Sequence, residues 1–213
     1  MRIVIFDMDG TLIDSGHDIT ASVNYVRRTV YSLEPLSRDF VVEAINRDQR
    51  NLALLFYEVE IYEPEAQSVF EGHYHRQCIQ NPRLYDGIAT LLHDLAALGV
   101  SLSVATNAPA RFARRMLTHL GIDALFDTIV GSEDVANVKP YPDMLHLVLD
   151  GCGYNPEQDY ALMVGDNGKD MEAARRAGIA GAFVTWGFSP KGIGDLVCSR
   201  PSELFQLVRV CKP

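Results

Sequence analysis

The sequence predicts an α/β protein: a doubly wound parallel sheet with a small all-α insert after its first strand. Two observations lead there. Over most of the 213 residues, short apolar runs alternate with amphipathic stretches, strand then helix, as parallel strands joined by crossover helices require. One stretch, Ser15 to about Leu84, breaks that alternation with helical patterns and no convincing strand.

Arg2–Phe6 reads as the first strand. The insert follows, with helical patterns over Asp18–Tyr31, Ser37–Asn46, Leu52–Ile61 and Pro64–Ile79. Asn81-Pro82 and Asp86-Gly87 bracket the return with turn chemistry. Gly87–Leu98 is helical and Gly99 ends it; Ser101–Ala105 is the next strand. A helix over Pro109–His119 places proline in its first turn. Asp127–Val130 is a short strand, Tyr141–Leu149 a helix, and Ala161–Val164 a strand. Lys169–Ala177 is helical, Ala182–Thr185 is the fifth strand, and Ser202 caps a closing helix to Val208. The expected division is 1–14 with 85–213 as α/β core and 15–84 as helical cap, placed to act as a lid.

Hydrophobic residues at 47% suffice for a core, and a net charge of -9 argues against nucleic acid as partner, because phosphate backbones need a positive footprint. A small phosphorylated ligand stays open, since a metal, one lysine and backbone N–H groups can hold it. Cys78, Cys152, Cys198 and Cys211 are scattered without metal spacing. No apolar run approaches the roughly 20 residues of a membrane span, and the N-terminal run is broken by Asp7, unlike a signal peptide. A soluble cytoplasmic protein, monomer or homodimer, is the expectation.

In an open parallel sheet the ligand crevice lies beyond the carboxyl ends of the strands. Four chemistry-bearing segments fall there. Asp7 and Asp9 close the first strand; carboxylates at i and i+2 on extended chain share a side and call for a counter-charge, which a divalent cation or a simple polar turn would answer differently. Thr106 and Asn107 precede a helix, as phosphate cradle or as N-cap. Lys139 is a solvated loop charge or a counter-charge aimed into the crevice. Asp166 and Asp170 are helix-capping acids or a second half of a metal site.

Together, FDMDGT, ATN, VKP and GDNGKD resemble the four motifs of the haloacid dehalogenase superfamily, whose core is a Rossmann-like sheet. The resemblance implies Asp7 as nucleophile forming an aspartyl-phosphate and Asp9 as general acid and then base. It implies Mg²⁺ held by Asp7, the Asp9 carbonyl and Asp166, with Asp170 beside them. Gly10, Thr106 and Asn107 would serve the phosphoryl oxygens, and Lys139 would neutralise them and orient Asp7. The second acid, Asp9, points to phosphate esters rather than halides. The finer resemblance is to phosphoglycolate phosphatases, with a helical cap at 15–84 and the endings VTWGFS and SRPSELFQLV. A sugar-phosphate or nucleotide phosphatase or mutase is the alternative within the superfamily; a phospho-aspartate signalling module is the alternative outside it. Thr11 stands where the mutases usually carry valine. In the cap, AINRDQRNLALL replaces an expected glycine-containing substrate loop, leaving Arg47 and Arg50 as carboxylate binders or plain surface arginines. His17, just past the first motif, is a further candidate for substrate contact.

Overall fold

The computed structural model describes residues 1–47 and 51–211. Arg50 lies outside them. In chain order the elements are β1 (Arg2–Phe6), β2 (Ile13–Asp14), α1 (Gly16–Thr29), α2 (Arg38–Asn46), α3 (Leu52–Tyr57), α4 (Pro64–Gln77), β3 (Arg83–Leu84) and α5 (Ile88–Ala97). They continue as β4 (Ser101–Ala105), α6 (Ala110–His119), β5 (Thr128–Val130), α7 (Asp143–Cys152), β6 (Tyr160–Gly165), α8 (Gly168–Ala177), β7 (Ala180–Val184), β8 (Leu196–Cys198) and α9 (Pro201–Val210). Two compact units result: Met1–Ile13 with Leu84–Pro213, and Asp14–Arg83.

The first unit is a six-stranded sheet in the order β5-β4-β1-β6-β7-β8, every pairing parallel. β1 sits inside it, in register with β4 at Ile5↔Ser103 and with β6 at Ile5↔Met163. Ile3 through Phe6 are fully buried, as a strand covered on both faces demands. Ile3, Ile5, Ala161 and Met163 pack with Met144, Leu145 and Val148 of α7 and Ala173 and Ala174 of α8; alternation turns Val4 and Phe6 to the other face. The sheet grows outward from β1 in both directions, so the ends of β4, β1 and β6 form its switch point.

The second unit is helical. Val23, Val26, Val41, Ala44, Phe56, Tyr57 and Ala66 form its core. Buried Arg27 ties it together from α1, donating to the carbonyls of Glu34 (2.5 Å) and Phe56 and meeting the Glu58 carboxylate at 3.4 Å. Buried Asp18 accepts from Gln77 Nε2 at 2.8 Å and from the Asn81 side chain at 2.9 Å.

Several boundaries differ from expectation, each for a local reason. α3 stops at Tyr57, short of Ile61, because Glu58 takes the left-handed conformation at φ 62°. α7 starts at Asp143 and runs on to Cys152, where left-handed Gly153 ends it. β8 was not expected at all; three residues are too few to display a period. Ser202 is inside α9 rather than at its cap: Pro201 takes the first turn, and the Glu203 carboxylate receives the Ser199 N–H at 2.8 Å. No helix among the described residues is long and apolar enough to cross a membrane.

A buried acidic cluster built around Lys139

Three neighbouring strands deliver the site. Asp7 follows β1, and its N–H donates to Val164 O of β6 at 2.8 Å, so the carboxylate leaves the sheet at its edge. The chain then turns tightly: Leu12 and Ile13 N–H both donate to Met8 O, at 2.9 and 3.0 Å. Gly10 makes this turn possible at φ +86°. A Cβ there would lie 2.5 Å from Asp166 Oδ2, so the residue is glycine for a second reason.

Asp166 follows β6. Its Oδ2 accepts the Phe188 and Ser189 N–H groups at 2.7 and 3.2 Å, and the Thr11 hydroxyl lies 3.4 Å from Oδ1. Asp170, in the first turn of α8, accepts the Asn167 N–H at 3.1 Å on one oxygen and the Lys139 ammonium at 2.6 Å on the other. Capping and cluster membership are therefore the same residue's work; the cap of α8 itself is Asn167, not Asp166. Lys139 Nζ also donates to Asp7 Oδ1 at 2.7 Å. The ligand oxygens of Asp7, Asp166 and Asp170 lie within 4.8 Å of one another, all three residues buried.

The charges do not balance within this cluster. Were all three carboxylates ionised, one ammonium would leave a surplus of two negative charges, the charge one divalent cation would neutralise. Hard, buried oxygen donors suit such an ion. The titration behaviour carries the same message. Burial first, then the charges of Asp7 and Asp170, push Asp166 up to about 8. Burial likewise raises Asp170 to about 6, with Lys139 pulling the other way. Burial would lower Lys139, but Asp170 and Asp7 outweigh it and raise it above its ordinary value.

A coupling between protons and metal follows. With its carboxyl pushed up to about 8, Asp166 is expected to release a proton when a divalent cation binds at pH 7. Apparent affinity for a divalent cation is expected to climb about tenfold per pH unit between about pH 6 and pH 8 and level off above it. Calorimetric titrations in buffers of different ionisation enthalpy should show proton release at pH 7; none at all would contradict the Asp166 assignment.

The other expected residues distribute differently. Asp9 is half-buried on the turn, bridged to Ile13, and its carboxylate is outside the three-acid cluster. Buried Thr106 accepts the Ala108 N–H at 3.2 Å, so it shapes a turn rather than capping α6, which begins at Ala110. Its hydroxyl proton remains available to donate. Asn107 directs its side chain to the Lys139 peptide, donating to Lys139 O at 2.8 Å and accepting Lys139 N–H at 3.0 Å. In the helical unit, His17 is exposed and Arg47 pairs with Glu43 across one helical turn at 2.9 Å. The loop Trp186–Ser189 went unmarked as part of the site. Trp186 Nε1 donates to Thr11 O at 3.0 Å while the Phe188 and Ser189 N–H groups hold Asp166. Gly187 allows the close approach: a Cβ there would stand 1.8 Å from Gly10 O.

Residues 4–184 match the family model of haloacid dehalogenase-like hydrolases. The chain is 33% identical over 210 residues to a phosphoglycolate phosphatase of Aquifex aeolicus, covering 98% of this chain and 97% of that one. It is 30% identical over 217 residues to an N-acetylmuramic acid 6-phosphate phosphatase of Pseudomonas aeruginosa, covering 98% and 95%. A crystal structure described as a predicted phosphoglycolate phosphatase from Haemophilus somnus superposes with a TM-score of 0.83 at 28% identity, covering 96% of both chains. With its acids and lysine gathered at the switch point of a parallel sheet, and matched along nearly its whole length, the chain belongs to the haloacid dehalogenase-like hydrolase family.

Proposed function

We propose that this hydrolase is a Mg²⁺-dependent phosphatase that cleaves a small phosphomonoester carrying a carboxylate, 2-phosphoglycolate first among candidates. The observation that carries the reading is the Asp7–Lys139–Asp170 ion-pair cluster beside Asp166. The carboxylate rests on the relatives: phosphoglycolate and N-acetylmuramic acid 6-phosphate, named for two of them, are both phosphomonoesters of acids.

In this reading a carboxylate oxygen of Asp7 attacks phosphorus, the bond from phosphorus to the ester oxygen breaks, and Asp9 gives the departing alkoxide its proton. Asp9 then takes a proton from water as the water oxygen attacks phosphorus, releasing phosphate and restoring Asp7. Lys139 fixes Asp7 through Oδ1, leaving the other oxygen for attack, and adds positive charge where the phosphoryl group gathers negative charge. Thr106 donates its hydroxyl to a phosphoryl oxygen. Mg²⁺ held by Asp7, Asp166 and the Asp9 carbonyl, with Asp170 beside them, would supply further charge neutralisation. Asp14–Arg83, the helical unit, is the part assigned to substrate selection.

A panel of 2-phosphoglycolate, N-acetylmuramic acid 6-phosphate, a hexose phosphate and a nucleoside monophosphate, each with Mg²⁺, tests the proposal. The acid-bearing esters should lead in kcat/KM. Highest turnover on the hexose phosphate or the nucleotide would remove the carboxylate from the substrate class. A stable phosphorylated protein without phosphate release would replace the phosphatase with a signalling module.

A further inference from the structure

Asn107 grips one residue at both faces of its backbone. Its Oδ1 takes the Lys139 N–H and its Nδ2 gives to the Lys139 carbonyl, at 3.0 and 2.8 Å, across 32 positions of chain. The two partners have opposite hydrogen-bonding sense, so they fix which way round the amide stands. Held this way, the amide commits its oxygen and one of its two N–H donors to the lysine peptide.

The loop that carries Asn107 is itself tied down on its other side. Thr106 N–H donates to Val130 O at 3.0 Å, Ser132 N–H donates to Ala108 O at 3.0 Å, and the Glu133 carboxylate receives the Ala110 N–H at 2.8 Å. Gly131 lets these segments close up: a Cβ there would lie 2.1 Å from Ala110 N. Glu133 also fills the N-terminus of α6. Burial alone would raise this acid, but its own N–H and those of Ala110 and Arg111, together with the Arg111 charge, bring it below its ordinary range. The segments 106–110 and 130–139 are thus closed into a ring by hydrogen bonds, with the Lys139 side chain leaving from one corner.

A lysine needs such a frame. Its stem has four rotatable carbons, and an ammonium placed between two carboxylates holds their geometry only when its own backbone is fixed. We propose that Asn107 is a positioning residue for Lys139, holding the lysine backbone so that the ammonium stands between Asp7 and Asp170, and is not a side-chain ligand of the phosphoryl group. The proposal builds on the phosphatase reading above.

The test is Asn107→Ala, assayed against the wild type with Mg²⁺ on the best substrate of the panel, with inorganic phosphate as inhibitor, and with backbone amide exchange of Lys139 in the metal-free protein. The variant should lose about 10- to 100-fold in kcat, as a displaced catalytic frame does, while KM and the inhibition constant of phosphate stay within about twofold. The Lys139 N–H should exchange at least about tenfold faster. A rise of about tenfold in KM and in the phosphate inhibition constant with kcat retained would make Asn107 a ligand and overturn the proposal. So would unchanged exchange at Lys139. A wild type that hydrolyses no phosphomonoester defeats the phosphatase reading instead, and the exchange measurement still decides whether Asn107 holds the lysine.

Discussion

Asp7→Asn is expected to lower kcat by about 10⁴-fold or more while the protein stays folded and at least as heat-stable as the wild type. The two halves of that result have separate causes. Asparagine keeps the shape of the side chain but has no carboxylate oxygen to bond phosphorus, so the first chemical step has no attacking group. Stability moves the other way because the cluster is overcharged. Removing one of three neighbouring carboxylates relieves repulsion, and Lys139 keeps its partner Asp170 at 2.6 Å. Steady-state phosphate release and a thermal melt, both with and without Mg²⁺, check it. Turnover within tenfold of wild type would remove Asp7 from its role. A large loss of melting temperature would mean that the residue is needed for folding and not for attack.

Lys139→Met should do the reverse to stability. Methionine is close in length and burial is unchanged, so the substitution isolates the charge. Lys139 is almost completely buried, and both of its carboxylate partners are buried with it. Breaking a buried pair by deleting one member costs about 3–5 kcal/mol, because the remaining charges keep their desolvation penalty without compensation. Asp170 already lies near 6 with the ammonium 2.6 Å away; without it the acid rises further. A native-state carboxyl raised above its unfolded value binds a proton that the unfolded chain releases; because the wild-type acid itself gains this proton only near 6, the variant's deficit should shrink as the pH is lowered from 8 to about 6 and level off below. Mg²⁺ should restore part of the stability but not the turnover, since the cation supplies charge without the contact to Asp7 Oδ1. Urea melts at pH 5 and pH 8, with and without Mg²⁺, measure this; a deficit that is the same under all four conditions would contradict it.

How far the site was legible depends on the kind of interaction. The run Ile3–Phe6 ending at Asp7 was readable because apolar burial and a following acid are both local signals. So were the strands before Thr106 and Asp166, and parallel topology alone brings their ends beside that of β1. What sequence could not weigh was competition for a side chain. Asn107 follows a strand and precedes a helix, a good place for a phosphate ligand, yet the Lys139 peptide takes its amide first. The site role of Trp186–Ser189, within the VTWGFS ending, was hidden for a related reason: its hold on Asp166 is made by backbone N–H groups, which every residue but proline has. Glu133 acts on Ala110 only because β5 lies beside β4, at Ala105↔Val130 in the register. Element ends such as Glu58 turn on a single backbone torsion.

The chain leaves the sheet unit at Ile13 and comes back at Leu84, and every acid, the lysine and the threonine named in the chemistry lie on the sheet side of those two crossings. The helical stretch is therefore a cassette with one entry and one exit. If that block selects the substrate, a chimaera carrying a relative's block at residues 14–83 is expected to retain the phosphate-releasing reaction while changing its preference among the esters of the panel.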